Sequence, residues 1–123
     1  MHYTFEDLHC CEAVVPDRHG FGLRGLKSVF RTGTRRILLF ARAKGPKRPE
    51  GVAFRVEVCE FDSEGFTMLW ADEFISSDRN MLDSGTNLYV SFEPASPLQP
   101  GHYFAILILA TGEQAESSFE VRA

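Results

Sequence analysis

Apolar residues recur at every second position through most of the chain, with no ten-residue stretch of helical period. The clearest case is Val52 to Phe61, where Val52, Phe54, Val56 and Val58 alternate with Arg55 and Glu57. That period predicts a half-buried antiparallel strand. Asp62-Ser63-Glu64-Gly65 then reads as a hairpin loop, with Gly65 free to adopt a left-handed conformation. The return strand runs from Phe66 to about Phe74, and simple alternation puts Phe66, Met68 and Trp70 on one face. Thr86 to Glu93 alternates again with Leu88, Val90 and Phe92 inward, and Glu116 to Arg122 does so with Phe119 and Val121.

Turn residues divide these runs. Residues 3–15 predict one or two edge strands, closed by Pro16-Asp17-Arg18-His19-Gly20. Phe21 to Gly25 and Leu26 to Phe30 follow as short strands, with a bulge or tight corner expected where Gly20, Gly22 and Gly25 crowd together. Arg36 to Ala43 is a strong strand, and Lys44 to Gly51 is an exposed loop stiffened by Pro46 and Pro49. Residues 75–85 are polar, with a single helical turn predicted near Ser77 to Leu82. Pro94 and Pro97 mark a crossing between sheets, and Thr111-Gly112 a final turn. Short strands with regularly spaced turn signals predict an all-β, two-sheet antiparallel sandwich of about 7–9 strands in one domain spanning 1–123.

Two strands carry too much apolar surface for that plan. In one, Ile37, Leu39 and Ala41 alternate with Leu38 and Phe40. In the other, Tyr103, Ala105, Leu107 and Leu109 alternate with Phe104, Ile106 and Ile108. A sandwich strand requires one apolar face only. The second face, bearing Leu38, Phe40, Phe104, Ile106 and Ile108, predicts an interface with another chain, a homodimer first, unless the N-terminal segment covers it.

At Leu98-Gln99-Pro100-Gly101-His102-Tyr103 the chain resembles the tyrosine-corner entry of immunoglobulin-like and fibronectin-like sandwiches, in which a tyrosine bonds back to upstream backbone. The antibody disulfide is missing, because this strand carries no cysteine. The resemblance extends along about three quarters of the length to a family of small uncharacterised bacterial immunoglobulin-like β-sandwich proteins. It rests on Gly20-Phe21-Gly22-Leu23-Arg24-Gly25, Phe54-Arg55-Val56 through Gly65, Leu98 through Tyr103, and Phe119-Glu120-Val121. It implies an immunoglobulin-like fold in a cytoplasmic bacterial or phage-related protein, and supplies no activity or catalytic residue.

Charge adds a second surface. The net charge is −4, but residues 18–49 hold ten basic side chains and no acid, while residues 50–123 hold thirteen acids against three basic residues. Arg24, Lys27, Arg31, Arg35, Arg36, Arg42, Lys44, Lys47 and Arg48 are therefore a candidate basic patch for an acidic partner protein or nucleic acid. The same residues could serve only to blunt edge strands.

The remaining chemistry is sparse. Adjacent strand residues point to opposite faces, so Cys10 and Cys11 cannot share one ion with His9; one buried and one partly exposed thiol is expected. The glycines near residue 20 lack the lysine and helix of a phosphate loop. No serine sits in a nucleophile elbow, and the carboxylates Asp72, Glu73, Asp78 and Asp83 lack calcium-loop spacing. These observations predict a non-enzymatic interaction or assembly module without cofactor or metal. Its expected partner is a second copy or another protein, with nucleic acid as the alternative. No stretch is long and apolar enough for a membrane helix, and no secretory leader is visible, so the cytoplasm is the expected compartment.

Overall fold

The computed structural model describes residues 3–5, 8–11, 13–17, 20–24, 28–45, 51–76, 81–82 and 85–123, with side chains excepted from 13–24 and 81–87. Among these residues every regular element is a strand. In chain order these are β1 (Thr4–Phe5), β2 (His9–Cys11), β3 (Ala13–Asp17), β4 (Gly20–Arg24), β5 (Val29–Arg31) and β6 (Ile37–Lys44). They continue as β7 (Ala53–Asp62), β8 (Gly65–Ile75), β9 (Met81–Leu82), β10 (Gly85–Phe92), β11 (Gly101–Leu109) and β12 (Gln114–Arg122).

The first sheet has the order β1-β6-β10-β9, with β2 also paired to β6 farther along the same strand. The second has the order β5-β12-β11-β7-β8. All pairings are antiparallel except β5 with β12. β3 and β4 form a separate hairpin. The fold is an immunoglobulin-like two-sheet sandwich, all-β as the alternation implies.

The inner faces hold the core. Ile37, Leu39, Leu88 and Phe92 of the first sheet face Val56, Val58, Leu107 and Leu109 of the second, all at most 1% exposed. Burying such side chains stabilises by about 1.5–3 kcal/mol each. Phe30, from the short edge strand β5, meets Phe119 edge-on at 5.7 Å between ring centroids, and Phe119 stacks on Tyr103 at 5.3 Å. Tyr103 donates its hydroxyl proton to the Gln99 carbonyl at 2.5 Å. That is the predicted tyrosine corner, and it ties the crossing segment 93–100 to the strand that follows.

Two local expectations need correction. β8 does not alternate uniformly: Val58 pairs with Trp70 but Cys59 pairs with Met68, which leaves Leu69 as an extra residue. This β-bulge resets the faces. Phe66 and Met68 lie on the outer side, while Trp70 turns inward to lie 5.5 Å from Phe92. The helical turn expected near Ser77 to Leu82 is also absent where it can be judged: Met81–Leu82 is strand β9, paired with Thr86 and Gly85, and 77–80 lie outside the described residues.

Candidate interaction surface

The outer face of the second sheet is built by register. β11 is central, so His102, Phe104, Ile106 and Ile108 are flanked on one side by Phe61, Cys59, Glu57 and Arg55 of β7. On the other side stand Glu120, Ser118, Glu116 and Gln114 of β12. β8 adds Phe66 beside Phe61 and Met68 beside Cys59. One end of this face is aromatic. Phe66 meets Phe104 edge-on at 5.0 Å and Phe61 at 5.8 Å, and Phe61 lies 6.0 Å from His102. Phe66 is 70% exposed, Met68 52% and Phe61 46%. Clustered apolar exposure of this kind marks an interaction surface, whereas scattered single residues do not.

The other end is charged and internally paired. Arg55 Nε donates to Glu57 at 2.8 Å, and its guanidinium lies 3.8 Å from Glu73. Back at the aromatic end, where Glu120 pairs with His102 in register, Arg122 reaches Glu120 at 3.0 Å; that hydrogen bond holds the Glu120 carboxyl below its usual range.

The five residues expected to form one apolar interface divide between two surfaces. β6 belongs to the first sheet and β11 to the second. Leu38 and Phe40 therefore face outward on the opposite side of the sandwich from Phe104, Ile106 and Ile108. On the first sheet, Phe40 stacks on Tyr89 at 6.5 Å. Cys11 shares the face of its register partner Leu38 and is fully buried. The chain runs on from Cys11 into β3, which contacts β6. On the second sheet no described segment lies over the aromatic end. Pattern reading missed Phe61, Phe66 and Met68. The two-residue turn between Asp62 and Gly65 was a usable signal, because it makes Phe61 and Phe66 direct cross-strand neighbours.

The basic residues also separate. Arg35 and Arg36 precede β6 and are exposed, whereas half-buried Arg42 and exposed Lys44 lie at its far end, about 20–30 Å away at the rise of an extended strand. Arg31 stands at the edge of the second sheet beside Arg122. Lys27, Lys47 and Arg48 lie outside the described residues, as does the side chain of Arg24.

Both N-terminal thiols are buried, against the expectation that one would be partly exposed. Cys10 points inward, its thiol 3.8 Å from Ser117 Oγ across the sandwich, and Cys11 points outward toward the Leu38 carbonyl. Burial pushes the Cys10 thiol up to about 11, against the hydrogen bond to Ser117. Cys59 is raised too, by burial and then by Glu57. A nucleophilic thiol needs the opposite shift. Among the described residues no three His, Cys, Asp or Glu side chains converge as a metal site.

Two concavities flank this sheet. A groove of about 510 Å³ runs past Ile75, Ile108 and the Arg55–Glu73 pair, over the stacked rings of Phe54 and Phe74. A pocket of about 370 Å³ opens at the tyrosine-corner end, between Trp70 and Leu69 of β8, Glu60 of β7 and the proline-bearing segment 93–99. There the Tyr103 hydroxyl is raised by burial and, secondarily, by the charge of Glu60.

No family model matches the chain, and no curated protein sequence matches it. Among solved structures it is similar to an immunoglobulin-like protein from Pseudomonas aeruginosa. That likeness has a TM-score of 0.53 at 12% identity and covers 99% of this chain and 98% of that one. It shows the shared fold. The chain is also similar to part of a Pseudomonas fluorescens alkylpurine DNA glycosylase bound to DNA containing an abasic-site analogue. Here the TM-score is 0.47 at 17% identity, over 78% of this chain and 28% of the glycosylase. The chain thus spans little more than a quarter of that enzyme's length.

Proposed function

We propose that this protein is a non-enzymatic interaction module that self-associates through the outer face of its second sheet. The observation that carries the reading is the aromatic cluster of exposed Phe61 and Phe66 with half-buried Phe104 on a sheet face that no described segment covers. A second copy suits this face for two reasons. Both guanidinium groups on this side are already paired within the chain, Arg55 with Glu57 and Glu73 and Arg122 with Glu120, so an identical face brings no unpaired cation and only one net negative charge per copy from those groups. The size is also appropriate. Four strands about 4.8 Å apart, each about eight residues long at roughly 3.3 Å per residue, present about 500 Å². Two such faces bury about 1,000 Å² in total, the lower limit for a specific interface. The expected dimer is accordingly weak and reversible.

Sedimentation velocity across a concentration series tests this. Self-association should appear in the wild-type chain and be lost in Phe66→Lys. Phe66 is mostly exposed, so the substitution should leave the melting temperature nearly unchanged. A wild-type chain that stays monomeric at several hundred micromolar, or a Phe66→Lys variant that associates equally well, overturns the reading.

A further inference from the structure

Glu60 is out of character for its position. It pairs in register with Tyr103 on the core side of β7, where Val58 and Val56 precede it as fully buried residues. Glu60 is half-buried as a residue while its carboxylate oxygens keep access to solvent, and among the described residues no cation or hydrogen-bond donor reaches them. Its Oε1 lies 3.9 Å from where a Cβ on Gly101 would stand, which places it against the Pro100-Gly101 corner. A carboxylate with no partner in the chain is open to a charge-assisted bond from a ligand. Its natural complement is a cation.

The surroundings supply the rest of a cation site. The Leu69 bulge turns Trp70 inward, so that the indole and Glu60 line the same pocket. Bulges often re-aim a side chain in this way at functional positions. The opposite wall is the crossing segment with Pro94 and Pro97, tied down by the Tyr103 hydroxyl bond to Gln99. Proline and the tyrosine corner together make this wall rigid before any ligand arrives, which lowers the entropic cost of binding. Glu93 adds a second carboxylate at the exposed rim. The volume of about 370 Å³ lies within the range of small-molecule sites.

We propose that this pocket binds a cationic group on an apolar stem, an alkylated ammonium or a guanidinium, with the charge beside Glu60 and the stem against Trp70 and the prolines. The attraction combines an ion pair with contact between the cation and an aromatic face. The pocket lies on the core side and end of the sandwich, away from the outer face used for self-association, so the two readings stand or fall separately.

The single tryptophan makes the test direct, because all tryptophan fluorescence comes from Trp70. The probes are choline, its neutral tert-butyl analogue, and the blocked amides of arginine and trimethyllysine, titrated against the monomeric Phe66→Lys variant and the wild-type chain alike. Saturable change with choline or the amides is expected, with the neutral analogue weaker by about fivefold or more. Stronger binding of choline than of the amides points to a free small molecule, and the reverse to a side chain of a partner protein. Glu60→Gln should weaken cation binding about tenfold, whereas Glu57→Gln, on the outer face, should not. Equal binding of choline and its neutral analogue overturns the proposal. So does unchanged affinity in a Glu60→Gln variant whose melting curve is native, or the absence of any saturable signal.

Discussion

Removing one oxygen atom from Tyr103 tests the tyrosine corner quantitatively. In Tyr103→Phe the ring keeps its burial, at 1% exposure, and its stacking on Phe119 at 5.3 Å. What disappears is the hydroxyl bond to the Gln99 carbonyl. Gln99 is exposed, so water can replace the lost donor and no buried acceptor is stranded. The loss should therefore be the net value of one hydrogen bond, about 0.5–1.5 kcal/mol, and not the larger cost of an orphaned group. For a chain of this size that lowers the melting temperature by roughly 2–6 °C. Urea unfolding monitored by Trp70 fluorescence gives the free-energy difference directly.

A pH arm separates the hydroxyl from general packing. The Tyr103 hydroxyl is raised by burial and by Glu60, so the folded state holds this proton more tightly than the unfolded chain does. The resulting stabilisation is complete below about pH 10, the unfolded value, and is lost as pH rises through the folded one. Tyr103→Phe should remove that part of the alkaline decline. A Cys10→Ala background keeps the thiol from contributing to the same limb. A loss below about 0.3 kcal/mol, or above about 3 kcal/mol, contradicts the assignment of one solvent-replaceable bond; an alkaline limb identical in both proteins contradicts the raised hydroxyl.

Two further outcomes follow from buried groups. Because burial raises the Cys10 thiol to about 11, wild-type stability should fall by about 2–3 kcal/mol as pH rises from roughly 9 to 11. Cys10→Ala should lack that component in parallel urea titrations. Two glycines of similar dihedral angle should respond very differently to alanine. Gly33, at φ 87°, has open space around its missing Cβ, so Gly33→Ala should cost about 1–2 kcal/mol of backbone strain. At Gly51, φ 85°, a Cβ would lie 2.2 Å from the Ser76 carbonyl oxygen. That strand end is held by reciprocal bonds, Val52 N–H to Ser76 Oγ and Ser76 N–H to Val52 carbonyl. Gly51→Ala should therefore cost clearly more than Gly33→Ala, and equal melting temperatures would refute the close approach.

Local alternation in the sequence was enough to establish the strands, the inward faces of β7, β10, β11 and β12, the hairpin turn at Gly65 and the tyrosine corner at Tyr103. Side-chain direction in a strand repeats every two residues, and the turn residues act through their own dihedral preferences, so both signals are contained in a few neighbouring positions. Three features depended on pairing between distant segments. β6 and β11 look alike in sequence, each apolar on both faces, but they pair into different sheets, and Leu38 and Phe40 are thereby separated from Phe104 and Ile106. The single extra residue Leu69 separated Trp70 from Phe66 and Met68, with which simple alternation had grouped it, and brought it to the pocket beside Glu60, because a slip of one position inverts every following side chain. The basic run, continuous in sequence, spreads along the length of β6 once that strand is extended. Which residues alternate is a local property of the chain. Which faces meet, and which remain open to a partner, was decided by the long-range hydrogen-bond register that only the folded sheets possess.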